Sequence, residues 1–216
     1  MKLAALVPLN ARSRVKSRLA GALDPADRAE LARWLAQGVL DAMRAADIAH
    51  VGVVSPDDDV LRWAWHNGAQ AIRQHGAGLN DALDVGRAWA LRQSADALLI
   101  VLGDLPLLTA EDVLALTAHE HTASSVPSVT IAPDRANQGT NMLLVRPPAA
   151  ISFAFGENSL AQHLALAHAA GIEPRIIRRP GAAFDVDTPA DLRELADLGL
   201  WRPSGAHRHL WAGEAS

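Results

Sequence analysis

From residue 3 to residue 198 the sequence alternates short apolar runs with longer stretches whose apolar residues recur at helical spacing. That alternation leaves few ways to fold. Runs at 3–8, 50–55, 69–73, 97–102, 126–132, 141–145 and 175–178 have the length of buried strands. Between them, helices are expected from Asp24, with Asp as N-cap and Pro25 at the first helical position, to residue 46; over 57–67, closed by Gly68; and over 80–93. A further helix starts at Thr109, where Asp112 completes a variant capping box. Two more follow over 159–170, closed by Gly171, and from Thr188-Pro189 to 198. Strand and helix in alternation predict an α/β fold, a mostly parallel twisted sheet with helices on both faces. No Gly/Ser-rich or Pro-rich linker interrupts the pattern and no repeat is visible, so one domain is expected over 1–198, with a polar tail over 199–216 that either docks on the body or frays.

Composition removes several classes of function. There is no cysteine, which excludes disulfides, thiol nucleophiles, thiolate zinc sites and iron–sulfur clusters. The net charge of −4 lacks the basic field of a nucleic-acid binder. Apolar runs such as 97–102 fall far short of the ~18 residues that a membrane span needs. The opening MKLAALVPLNARS has no long apolar core or cleavage site of a secretory signal, so a cytoplasmic location is expected.

Three groups of residues bear chemistry. Arg12, Arg14, Lys16 and Arg18 put four cations in seven residues after the first strand, at the sheet edge where doubly wound folds hold ligands. The loop is either simply solvated or neutralised by an anion, of which a nucleotide polyphosphate is the natural example. It is not a Walker A loop. Lys2 and Lys16 are the only lysines, which sets Lys16 apart. Asp104 ends the most hydrophobic strand, and Asp185 and Asp187 lie on one face if their segment is extended. Such convergent carboxylates suit magnesium, although Asp104 and Asp187 are also placed to cap the turns that follow them. Gly139-Thr140-Asn141 and Phe155-Gly156-Glu157-Asn158-Ser159 offer backbone N–H groups and hydroxyls, which serve equally as turns and caps or as an anion site.

Other features read as structural. Gly76 and Gly78 lack the third glycine of a dinucleotide fingerprint. Asp57, Asp58 and Asp59 suit the start of a helix. His119 with His121, and His207 with His209, have no evident carboxylate partner for a metal. Of Trp63 and Trp65, two apart on a helix, one is expected in the core.

Val7-Pro8-Leu9, Lys16-Ser17-Arg18-Leu19, Gly78-Leu79-Asn80, Asp104-Leu105-Pro106-Leu107, Ala132-Pro133-Asp134-Arg135, Gly139-Thr140-Asn141, Phe155-Gly156 with Ser159, and Asp185-Val186-Asp187-Thr188-Pro189 follow one another in this order. In that order they resemble the phospholactate guanylyltransferase family of deazaflavin coenzyme biosynthesis, to about residue 198. The resemblance implies a nucleotide-diphospho-sugar transferase-like (GT-A-like) fold. It implies a reaction in which GTP and a small phosphorylated acid (2-phospho-L-lactate, phosphoenolpyruvate or 3-phosphoglycerate) give a guanylylated acid and pyrophosphate, the product passing to a downstream transferase. It assigns Asp104, Asp185 and Asp187 to Mg2+; Lys16 and Arg18 to the triphosphate, where with Asp104 they are the catalytic candidates; Pro8, Arg12, Gly78, Leu79 and Asn80 to the nucleotide; and Thr140, Gly156 and Ser159 to the phospho-acid. Asn10 stands where the family commonly has Lys, so a phosphate contact there is either missing or supplied by Arg12 or Arg14. Competing expectations are a nucleotidyltransferase for a sugar phosphate or molybdopterin, and a nucleotide-binding protein without turnover.

Overall fold

The computed structural model of the chain describes residues 2–9, 17–118 and 126–203. Seven strands form one sheet: β1 (Leu3–Pro8), β2 (His50–Ser55), β3 (Gln70–Arg73), β4 (Ala97–Val101), β5 (Ser128–Pro133), β6 (Thr140–Arg146) and β7 (Arg175–Ile176), in the order β3-β2-β1-β4-β6-β5-β7. β6 is antiparallel to both its neighbours, β4 and β5, and the remaining pairs are parallel. The cause of the reversal is local. Only residues 134–139 join β5 to β6, too few for a crossover, and the side chain of Asp134 closes the turn by accepting from the N–H of Gln138 at 2.8 Å.

The helices are α1 (Pro25–Ala45), α2 (Asp58–His66), α3 (Leu79–Arg92), α4 (Ala110–Thr117), α5 (Ser159–Ala169), α6 (Pro180–Ala183) and α7 (Pro189–Asp197). Their starts follow the expected chemistry. Asp24 caps α1 by accepting from the N–H groups of Ala26 and Asp27 at 2.8 Å. Asp57 caps α2. Thr109 with Asp112 and Thr188 with Asp191 form reciprocal capping boxes at α4 and α7. The four-residue α6 and a short 3₁₀ turn at Ser17–Leu19 are not foreseen from periodicity, which needs more than one turn to register.

Strand side chains alternate between two cores. Leu6, Leu98, Ile100, Leu143 and Val145 pack under Leu83 and Trp89 of α3 and Leu160 and Ala167 of α5. Val7, Leu99, Val101, Met142 and Leu144 pack under Val39 and Met43 of α1, Ala64 of α2, and Val113 and Leu116 of α4. A third cluster joins Leu31 and Leu35 of α1 to Leu192 and Leu195 of α7, with Phe184, Val186 and Trp201 between them. Trp201, the first tryptophan of the tail, is thus docked, and residues 204–216 lie outside the described part. Trp63 packs against the second core whereas Trp65 is exposed, as two residues on opposite sides of α2 must be. Among the described residues no helix is long and apolar enough to cross a membrane.

Candidate active site

Parallel strands end together, and here the ends of β1, β2, β3 and β4 meet the reversed start of β6 along one sheet edge. Asp104 follows β4, and its backbone carbonyl accepts from the N–H of Val186 at 3.2 Å, which ties the 185–187 segment to that edge. Asp185 is held by Asn141, whose Nδ2 donates to its Oδ1 at 3.4 Å and to the carbonyls of Ala182 at 3.1 Å and Ala183 at 3.4 Å. Burial, and then the neighbouring charges of Asp104 and Asp187, push the Asp185 carboxyl up to about 6. The three carboxylates therefore share one electrostatic site. Arg18, in the 3₁₀ turn after the basic loop, reaches Asp187 with Nη1 at 3.6 Å from Oδ2. Both ends of that pair are well exposed, so it contributes little to stability, but it brings the cation end of the loop to the carboxylates.

Among the described residues no three His, Asp or Glu side chains close into a metal cage by themselves. Magnesium does not require one, because it keeps waters and is commonly held by one or two carboxylates plus substrate phosphates. An all-oxygen set that repels itself fits such a hard cation.

A second cluster sits on the α5 side of β6. The N–H of Thr140 donates to Ser159 Oγ at 2.9 Å, and Thr140 Oγ1 lies 2.9 Å from His163 Nδ1. His163 follows Ser159 by one turn of α5, so both face the start of β6. All three residues are at most 2 % exposed. Thr140 and Asn141, adjacent in the strand, thus serve opposite faces: Thr140 meets α5, and Asn141 meets the segment of Asp185.

The loop before α3 and the 155–159 loop are joined by Asn80. Its Nδ2 donates to the carbonyl of Phe155 at 3.1 Å and its Oδ1 accepts from the N–H of Phe155 at 2.9 Å, so both ends of the carboxamide hold the 155–159 loop. Gln74 supports the other side by donating to the carbonyls of Gly76 and Gly78. Gly78 and Gly156 have φ of +107° and +130°, a region that side chains strain, with open space where a Cβ would stand. Pro8 ends β1 beside Val54, and Leu79 opens α3 against the core. Arg135 is engaged elsewhere, bridging Glu194 and Asp191 over the ring of Phe184 to fix α7.

Lys16 and Arg12, with Asn10 and Arg14, lie outside the described residues, as do His119, His121, His207 and His209. Sequence reasoning missed His163. The available signal was its spacing of four from Ser159, which puts any helical polar pair on one face. Burial holds the His163 imidazole down to about 4. Above pH ~6.5 the ring is neutral in both folded and unfolded chains, and the stability it allows is fully present. As pH falls from ~6.5 towards 4 the unfolded chain takes up a proton that the folded chain refuses, a loss of about 3 kcal/mol over that window. Urea unfolding at pH 7 and at about pH 4.5 is expected to show this loss in the wild type and a smaller one in His163→Gln. Equal losses in the two proteins would remove His163 as the cause.

Comparisons with known proteins identify the family. The family model described as "Guanylyl transferase CofC like" matches residues 3–200. A phosphoenolpyruvate guanylyltransferase from Sphaerobacter thermophilus is 48 % identical over 193 residues, covering 89 % of this chain and 91 % of its own. A 2-phospho-L-lactate guanylyltransferase from Methanothermobacter thermautotrophicus is 32 % identical over 196 residues, covering 90 % and 84 %. In fold, a structure described as a nucleotide-diphospho-sugar transferase from Desulfovibrio desulfuricans superposes with a TM-score of 0.72 at 19 % identity, covering 94 % of this chain and 91 % of that one. Match, identity and coverage together place this chain in the CofC-like guanylyl transferase family.

Proposed function

We propose that this chain transfers a guanylyl group from GTP to a small phosphorylated acid, phosphoenolpyruvate or 2-phospho-L-lactate, with 3-phosphoglycerate as a further candidate, and releases pyrophosphate. The observation that carries the reading is the meeting of Asp104, Asp185 and Asp187 with Arg18 at the same sheet edge as the Thr140–Ser159 pair. In the proposed step a phosphate oxygen of the acid attacks the α-phosphorus of GTP in line, and the bond to the departing pyrophosphate breaks. No protein nucleophile is needed. The acid phosphate is largely ionised near pH 7, so no strong base is needed either, and positioning and electrostatics supply the rate.

Asp104, Asp185 and Asp187 would hold Mg2+, which when bound neutralises charge on the phosphates. Arg12, Lys16 and Arg18 would pair with the triphosphate, and Pro8, Gly78 and Leu79 would border the nucleotide. Asn80 would act by holding the nucleotide loop against the acid loop. Thr140, Gly156 and Ser159 would receive the acid. The activated acid then suits a following transferase that displaces GMP.

The test is a matrix of four nucleoside triphosphates against the three phospho-acids, with a sugar phosphate added, read by mass spectrometry of the product and by pyrophosphate release. GTP with phosphoenolpyruvate or phospholactate is expected to give the guanylylated acid. Product from the sugar phosphate alone, or nucleotide binding with no product in any cell, would overturn the reading.

A further inference from the structure

The His163 ring has a determinate hydrogen-bonding sense. The backbone N–H of Ala154 donates to Nε2 at 3.1 Å, so that nitrogen must carry a lone pair. The ring is buried and neutral, so the proton resides on Nδ1 and is donated to Thr140 Oγ1, 2.9 Å away. Thr140 Oγ1 then accepts from the ring, and its own hydrogen is left to point elsewhere. Ser159 Oγ likewise accepts, from the Thr140 N–H, and keeps its hydrogen. Among the described residues neither hydroxyl hydrogen has an acceptor in hydrogen-bond reach. Two hydroxyls forced to present hydrogens suit an acceptor-only ligand, as carboxylates and phosphates are.

We propose that His163 is a positioning residue for the acid: its Nδ1–H fixes Thr140 as a donor, so that Thr140 and Ser159 together select an anionic group that accepts hydrogen bonds. This rests on the reading that Thr140 contacts the phospho-acid. Ala154 is the other half of the device, because its N–H excludes the opposite tautomer, and it lies beside Phe155, whose backbone is held by Asn80. The orientation of the hydroxyl is therefore anchored in the segment that Asn80 holds.

The experiment is a double-mutant cycle in initial rates with phosphoenolpyruvate and GTP. Asn at 163 keeps an amide N–H near the position of Nδ1, whereas Gln reaches the position of Nε2 and leaves nothing at Nδ1. His163→Gln is expected to raise the KM for phosphoenolpyruvate about three- to tenfold, the range of one neutral hydrogen bond, with KM for GTP within about twofold of wild type. His163→Asn is expected to restore most of the loss. In a Thr140→Val background His163→Gln should add less than about twofold, since the group it orients is gone. If Thr140→Val leaves the acid KM unchanged, both the acid-site reading and the proposal fail. If Thr140→Val raises that KM but the two His163 variants are alike, or His163→Gln acts equally in both backgrounds, the proposal fails while the acid site stands. Nitrogen-15 NMR of the wild-type ring decides the matter even where a variant does not fold: a proton on Nδ1 is expected, and a proton on Nε2 would overturn it.

Discussion

Asp185→Asn is expected to lower turnover by at least about a hundredfold while making the substrate-free protein more stable at pH 7. Changes to residues outside a metal's own ligands already cost about 10–100-fold, so removal of the charge of a proposed ligand should exceed that. The stability effect has the opposite sign because the folded chain holds the Asp185 carboxyl up at about 6 against an ordinary 3.8. Below pH ~4 the group is protonated in both states and contributes nothing. As pH rises from 4 to 6 the unfolded chain releases its proton first, and the folded chain loses stability through this group. Asp185 is partly exposed, so a discounted penalty of about 1–2 kcal/mol at pH 7 is appropriate. Asn removes the charge, keeps the shape, and can still accept from Asn141. A gain of about 2–4 °C per kcal/mol is expected for a chain of this size, shrinking towards pH 5. Magnesium with GTP should raise the unfolding temperature of the wild type more than that of the variant. Wild-type turnover at saturating magnesium would refute the assignment, and a lower unfolding temperature for the variant at pH 7 would refute the electrostatic account.

Gly86→Ala is expected to destabilise the protein by about 2 kcal/mol, although alanine is the better helix former by about 1 kcal/mol. Gly86 faces β1 from α3, and a Cβ there would stand 2.0 Å from Cδ2 and 2.7 Å from Cδ1 of Leu6. Leu6 is fully buried between two strands and cannot step aside, so the helix must lift or the leucine must leave its rotamer, at about 1–3 kcal/mol or more. The start of that same helix carries Asn80, so lifting it should also loosen the 155–159 loop. Thermal unfolding of Gly86→Ala, Leu6→Ala and the double variant provides the check. The double variant should be less destabilised than the sum of the singles, because the new methyl occupies part of the space that Leu6 vacates. Strict additivity would mean that the contact is relieved by some other movement.

The strands and the capped helix starts were legible in the residues, since each depends on local pattern: the unbroken apolar run of Ala97–Val101, Asp24 before Pro25, Thr109 three before Asp112. What linear pattern does not carry is which segments become neighbours. Nothing in the run from Thr140 to Val145 states that the strand is reversed; the brevity of 134–139 was the clue, and it needs the sheet order to be read. The family resemblance assigns Asn80 to the nucleotide, and its carboxamide is engaged with the backbone of Phe155, a partner 75 residues away. His163 escaped notice for the same reason, its partners lying in β6 and the backbone of Ala154 rather than in α5.

The reversal of β6 has a consequence for how such a site can change over time. Because Thr140 and Asn141 are successive residues of one strand, the α5 side and the carboxylate side are separated by a single backbone step of ~3.4 Å, and neither can be shifted along the sheet without the other. Side-chain replacement at 159 or 163 can retune one side alone. A one-residue insertion or deletion within 134–139 that slips β6 by one position, in contrast, would turn each residue to the face that the other now serves. In this fold the turn before β6 therefore sets the phase of both sides of the site at once.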